Sequence, residues 1–142
     1  FHLSPSKYNN RVTVTITMTN KSLDYPYAFR SHEDTVEKIY LVELCEFLNK
    51  HAHTIKCGEI PESYGYFDYD MLYKVRPYIG EYNSVKDTVF FSMLFLVNTG
   101  RGEEISHIWM GGEMSVTSKM MEQFATDMEK AIELTDQSIY GD

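Results

Sequence analysis

The stretch TVFFSMLFLVN at residues 88–98 constrains the fold more than any other part of the chain. Its apolar residues run almost without a break, and phenylalanine and valine, which favour extended backbone, are frequent among them. The run is too short for a surface helix and is typical of a central strand buried on both faces. We therefore predict that residues 88–98 form the core strand of a sheet.

A second strand is predicted from RVTVTITMTN, residues 11–20. Val12, Val14, Ile16 and Met18 alternate with threonines, so one face of the strand is apolar and the other carries hydroxyl groups. The apolar face needs a covering layer, whereas threonine tolerates a half-buried pleated surface. An exposed edge on this strand is one route to a homodimer.

Two helices are predicted from apolar residues that recur at spacings of three and four. Ser31 has the properties of an N-cap, and it precedes Glu33 and Asp34, which favour the first turn of a helix. The first helix is therefore expected to begin at Ser31 and to end within residues 50–53. The second is expected over residues 117–137, with an acidic outer side formed by Glu122, Asp127, Glu129, Glu133 and Asp136.

The region between these elements, residues 54–84, contains several glycines and prolines and is predicted to be irregular. A short helix at 68–76 and an aromatic strand at 64–69 are alternatives within it. A glycine-containing loop and a returning strand at 105–110 follow the core strand. This order predicts an α+β fold, a two-layer sandwich in which two amphipathic helices pack against a mainly antiparallel sheet.

Length and composition narrow the classes of function. A chain of 142 residues has the size of one domain, so residues 1–142 are assigned to a single domain with a flexible start at 1–10. The net charge of −8 disfavours direct nucleic-acid binding and favours a partner protein with a basic surface. The longest apolar run is too short to span a bilayer. Two cysteines predict free thiols in a reducing, cytoplasmic location, and the absence of an initial methionine fits a processed start.

The segment HAHTIKC, residues 51–57, raises the question of a metal or catalytic site. His51, His53 and Cys57 could bind zinc only on extended backbone and with a fourth ligand from elsewhere. Together with His107 and Arg101 they define an alternative function, a small-ligand-binding protein or a metal-dependent hydrolase. Histidine near a helix C-terminus also interacts favourably with the helix dipole, without any metal. We therefore assign no catalytic residue, metal or cofactor to the chain.

The most informative polar region is acidic and rich in tyrosine. Tyrosine brings a large amphipathic area to protein interfaces, and carboxylates beside aromatic rings suit a basic partner. The predicted binding surface comprises Glu59, Glu62, Tyr64, Tyr66, Phe67, Asp68, Tyr69, Asp70, Tyr73 and Arg101. The alternative is that these rings fill the space between the sheet and the helices.

The sequence thus predicts a non-catalytic interaction protein that docks a partner protein through this acidic, tyrosine-rich surface. An inhibitor, an adaptor or an immunity-like protein would share these properties. Small acidic chains without catalytic motifs also occur among viral or phage counter-defence inhibitors, which is an analogy of composition alone.

Overall fold

The computed structural model describes residues 1–21, 24, 26–61, 67–69, 72–100 and 108–140, with every side chain in these ranges except those of Asp68, Tyr69 and residues 138–140. Within these ranges the chain forms nine strands and two helices. The strands are β1 (His2–Pro5), β2 (Arg11–Thr15), β3 (Thr17–Asn20), β4 (Tyr27–Arg30), β5 (Asp34–Glu37), β6 (Phe67–Tyr69), β7 (Tyr73–Asn83), β8 (Thr88–Asn98) and β9 (Trp109–Thr117), and the helices are α1 (Lys38–Lys56) and α2 (Ser118–Tyr140).

The strands form three antiparallel sheets, in the orders β1-β2-β5, β3-β4 and β6-β7-β8-β9. β8 has an interior position, because it pairs with β7 on one side and with β9 on the other. The predicted strand at 88–98 is therefore confirmed with the same bounds. The predicted fold class, α+β with antiparallel strands and two helices, is confirmed as well, although the strands divide into three sheets.

The two faces of β8 differ in their burial. The odd-numbered residues from Val89 to Val97 are at most 6% exposed, whereas the even-numbered residues from Phe90 to Leu96 are half-buried. The prediction that both faces are buried is therefore met by the odd-numbered face and only in part by the even-numbered one. An antiparallel sheet is stable with one open face, so an unbroken apolar run does not require a second covering layer.

The first helix begins later than predicted, at Lys38. Ser31 does not cap it: the Ser31 side chain is buried, and its Oγ accepts a hydrogen bond of 2.9 Å from the backbone N–H of Ile16. The residues that follow form β5, in which Val36 pairs with Val12 of β2. Sheet pairing by β-branched residues thus outcompetes the local capping signal.

The alternating segment at 11–20 forms two strands in two sheets, with the break at Ile16. At this position the backbone bonds to Ser31 instead of continuing one ladder, since the Ser31 N–H donates to the Ile16 carbonyl over 2.8 Å. The Ile16 side chain stays buried. Residues 1–10, for which the sequence predicts flexibility, include β1, which pairs with β2.

The middle region, residues 54–84, is more regular than predicted. α1 continues to Lys56, and β6 and β7 follow, so the predicted helix at 68–76 is wrong. The predicted aromatic strand corresponds to β6 at its C-terminal end, and residues 64–66 lie outside the described part of the chain. An irregularity between Pro77 and Gly80 shifts the register of β7 against β8.

The end of the chain closely follows the prediction. The returning strand is β9, displaced toward the C-terminus from the predicted 105–110, of which 105–107 lie outside the described residues. α2 begins at Ser118, one residue after the predicted start, and continues to Tyr140. Gly111 and Gly112, which were expected to end or bulge the strand, lie inside β9 and pair with Leu96 and Phe95.

Both helices pack on the same face of the four-stranded sheet, where they enclose the main core. Leu44 of α1, Met93 of β8 and Met121 of α2 line one shared cavity there. The valines of β2 and β5 are also fully buried and belong to the same core cluster. The helices therefore form one layer between the large sheet and solvent, and their outward sides are available for contacts.

Candidate binding groove

Two of the predicted surface residues are part of the packing between sheet and helices. Tyr73 is 0% exposed, and its ring stacks against Phe67 at 6.4 Å and against Phe95 at 6.1 Å between centroids. Phe67 also lies 5.2 Å from the ring of Phe47 on α1. Tyr73 therefore cannot present its ring to a partner. For these two rings the alternative interpretation, that they fill space in the core, describes the structure.

The remaining residues of the predicted surface are only partly described. Glu59 is exposed and precedes Ile60, which is 72% exposed, just after the end of α1. Glu62, Tyr64, Tyr66, Asp70 and Arg101 lie outside the described residues, as do the side chains of Asp68 and Tyr69.

His51 is a buried structural residue. Its Nε2 donates a hydrogen bond of 2.8 Å to the backbone carbonyl of Tyr78, which lies in the irregular part of β7. Its ring packs 5.0 Å from that of Phe91. Burial lowers the pKa of the His51 imidazole below its ordinary value, and the hydrogen bond to Tyr78 opposes this shift. Burial therefore favours the neutral form of His51, which hydrogen-bonds a backbone carbonyl in the irregular part of β7.

The other candidates of the HAHTIKC segment do not converge with His51. The His53 Nε2 and the Cys57 Sγ are 3.5 Å apart and exposed, one helical turn from each other at the end of α1. His107 lies outside the described residues. In the described ranges no three His, Cys, Asp or Glu side chains come together in a group that could hold a metal ion. Burial, with a smaller contribution from Glu46, raises the pKa of the Cys45 thiol to about 11, so that thiol is not a nucleophile at neutral pH.

A groove between α1 and α2 combines apolar and acidic side chains. We call it the acidic groove; it has a volume of about 400 Å³ and is lined by Val42, Cys45, Glu46, Asn49, Ala125, Met128, Glu129, Ile132 and Glu133. Cys45 and Met128 are buried, and Ala125 and Ile132 are half-buried, so these side chains form an apolar floor. The carboxylates of Glu46, Glu129 and Glu133 are exposed at the rim.

The groove follows from where the two helices place small and acidic residues. Ala125, Met128 and Ile132 lie on one side of α2, at spacings of three and four, and face α1 across the groove. Ala125 and Cys45 have short side chains, which leaves an open furrow between the helices. Glu129 and Glu133 are one turn apart, so their charges stand side by side along its edge.

The three rim carboxylates are not neutralised within the described part of the chain, where none of them forms an ion pair. Lys38, by contrast, is engaged nearby by Asp136 and by the backbone carbonyl of Asn9. Among the lining residues that the structure describes, none is a lysine or an arginine. The groove therefore presents concentrated negative charge beside an apolar floor.

Sequence reasoning identified the acids of α2 but not the groove. Glu129 and Glu133 were predicted to lie on the acidic outer side of the second helix. The apolar floor depends on the distance between α1 and α2, and this distance cannot be predicted from a single sequence.

No protein-family model matches the chain, and no significant match occurs among the curated proteins. Of the helices in the described residues, none has both the length and the apolar character needed to cross a membrane.

Proposed function

We propose that the protein is a non-catalytic interaction protein that binds a basic, amphipathic segment of a partner protein in the acidic groove. The observation that carries this proposal is the coincidence of an apolar floor with the unpaired carboxylates of Glu46, Glu129 and Glu133. An inhibitor, an adaptor or an immunity-like protein would act in this way. A reducing, cytoplasmic setting belongs to the same proposal, because the two cysteines are free thiols.

The chemistry of the groove suits a helical segment with a mixed surface. Amphipathic helices bind in apolar grooves through side chains spaced by three and four residues. Lysine or arginine beside these anchors would meet the rim carboxylates, whose charge favours the correct orientation and speeds association. The net charge of −8 over the whole chain adds long-range attraction for a basic partner.

The binding surface predicted from the sequence is a separate candidate contact. Glu59 and the exposed Ile60 support it, whereas Tyr73 is removed from it by burial. The alternative function is a small-ligand-binding protein or a metal-dependent hydrolase that uses His51, His53, Cys57 and His107. Among the described residues these side chains do not form such a site, because His51 is held by the Tyr78 carbonyl and by Phe91.

The experiment uses a labelled helical peptide that carries leucines at spacings of three and four and lysines elsewhere. Its affinity is measured by fluorescence anisotropy for the wild type and for the double variant Glu129→Gln/Glu133→Gln. We expect the variant to bind about 2- to 30-fold more weakly, the range given by two exposed ion pairs. We also expect the wild-type affinity to fall as salt is added.

A matched control lies on the same helix. Glu122→Gln/Asp127→Asn removes the same amount of charge from exposed positions outside the groove. We expect this control to keep most of the affinity. Equal losses in the two double variants would show that only the net charge matters, and an unchanged affinity in the groove variant would exclude the groove as the site.

A further inference from the structure

A second cavity lies on the inner side of the helix layer, between the helices and the large sheet. It has a volume of about 370 Å³, and its lining includes Met18, Met93, Met114, Met120 and Met121, five of the eight methionines in the chain. We call it the methionine pocket. It does not overlap the acidic groove, since the two have no lining residue in common.

The pocket has a closed floor and an open mouth. Leu44, Leu48 and Met93 are 0%, 2% and 6% exposed and form part of the floor. Thr17 and Thr19 of β3 also line the pocket and are exposed, and Met120 at the start of α2 is 51% exposed. The pocket therefore opens to solvent between β3 and the first turn of α2.

The size of the pocket indicates the size of its ligand. The pocket has a volume of about 370 Å³. Its volume is within the range of roughly 300–1,000 Å³ that small-molecule sites occupy. An apolar cavity of about 150 Å³ holds benzene, so this pocket could accommodate the bulk of roughly two rings or an aliphatic chain of equal volume.

The lining indicates the chemistry of the ligand. Among the described lining residues no side chain is charged, and Thr17 and Thr19 are the two with polar side chains. A charged ligand group inside would lose its hydration without a charged side chain to pair with. Phe1 also lines the pocket, and burial lowers the pKa of its α-amino group, which favours the uncharged amine. Methionine side chains are flexible and polarizable, so they adapt to ligands of differing shape and contact aromatic rings favourably.

We propose that the methionine pocket binds an uncharged, mainly apolar small molecule with the bulk of about two rings. A polar group on this ligand would lie at the open mouth, where it keeps its contact with water. This site is independent of the proposed docking function, because it uses the inner side of the helix layer and the acidic groove uses the outer side.

The test uses 6-propionyl-2-(dimethylamino)naphthalene, an uncharged fluorophore built on two fused rings. We expect its fluorescence to rise on addition of the protein and to saturate at about one molecule per chain. The midpoint of thermal unfolding should rise with probe concentration, because the probe binds the folded state. Absence of saturable binding at probe concentrations near its solubility limit would overturn the proposal.

Variants at the mouth of the pocket and outside it show where the probe binds. Met120→Trp enlarges a half-exposed side chain at the mouth, and we expect it to weaken binding by about tenfold or more, since it obstructs the entrance. Leu134→Trp makes a matched change on the same helix at an exposed residue outside the pocket, and its affinity should match the wild type. Met18→Trp, at a half-buried lining residue of β3, is a second blocking variant if Met120→Trp fails to fold. Equal affinities in a folded blocking variant and in Leu134→Trp would overturn the proposal.

Discussion

At the scale of a single residue, His51 shows how burial lowers the pKa of a side chain. Its imidazole is enclosed, donates to the Tyr78 carbonyl and packs on Phe91. The sequence places it in a segment typical of metal ligands, yet the structure uses it to satisfy a backbone group. A buried, bonded histidine of this kind contributes to stability through its neutral form.

The first prediction concerns the pH dependence of stability. Because burial lowers the pKa of His51 in the folded state, the unfolded state takes up its proton at higher pH. The stabilisation is complete above the ordinary pKa of about 6.5 and is lost progressively as the pH falls below it. We expect urea unfolding to show a smaller decrease in the free energy of unfolding between pH 7.5 and 5.5 for His51→Gln than for the wild type.

His53→Gln is the control for this measurement, because His53 is exposed on the same helix. It should keep the pH dependence of the wild type. A His51→Gln variant with the full wild-type pH dependence would show that His51 does not carry the effect.

Gly111 is a position where the backbone admits no side chain. A Cβ there would lie 1.9 Å from the Phe95 carbonyl oxygen of β8, whereas a Cβ at Gly112 meets only the Tyr27 hydroxyl at 4.0 Å. We expect Gly111→Ala to destabilise the protein by about 1–3 kcal/mol, the usual cost of overpacking. Gly112→Ala should change the free energy of unfolding by less than about 0.5 kcal/mol. Similar results for the two variants in urea unfolding would contradict this close approach.

At the scale of elements, Ser31 connects the two parts of the alternating segment. Its Oγ accepts from the Ile16 N–H and donates to the His32 carbonyl, so it satisfies the backbone where β2 ends and β3 begins. We expect Ser31→Ala to destabilise the protein by about 1–3 kcal/mol, because it leaves the buried Ile16 N–H unsatisfied. Ser115→Ala, on the exposed side of β9, is the control and should stay within about 0.5 kcal/mol of the wild type in urea unfolding. A Ser31 variant as stable as this control would show that the bonds to Ile16 and His32 contribute little.

Elements with a long, regular pattern of apolar residues could be predicted from the sequence. Elements that depend on contacts between residues distant in sequence could not. The strand at 88–98 and the helix at 117–137 follow from local patterns that no tertiary contact overrides. Ser31 shows the opposite case, because its partner Ile16 is far away in sequence and only the folded chain brings them together. The break at Ile16, which divides one predicted strand between two sheets, has the same origin.

At the scale of the whole molecule, the helix layer separates two cavities of different chemistry. Its inner side encloses the methionine pocket, and its outer side carries the acidic groove. The sequence indicated the acidic character of the second helix, whereas both cavities depend on the distance between packed elements. The class of the fold was therefore predictable from periodicity, but the places where a ligand or a partner fits were not.

We propose that the acidic groove is where a basic, amphipathic segment of a partner protein docks. Amide chemical shifts of the labelled protein, recorded by NMR while the lysine-rich peptide is added, test it most directly. We expect the largest changes at groove residues, namely Val42, Glu46, Glu129 and Ile132, with small changes on the large sheet. Changes concentrated around Glu59 and Phe67, with the groove residues unaffected, would contradict it.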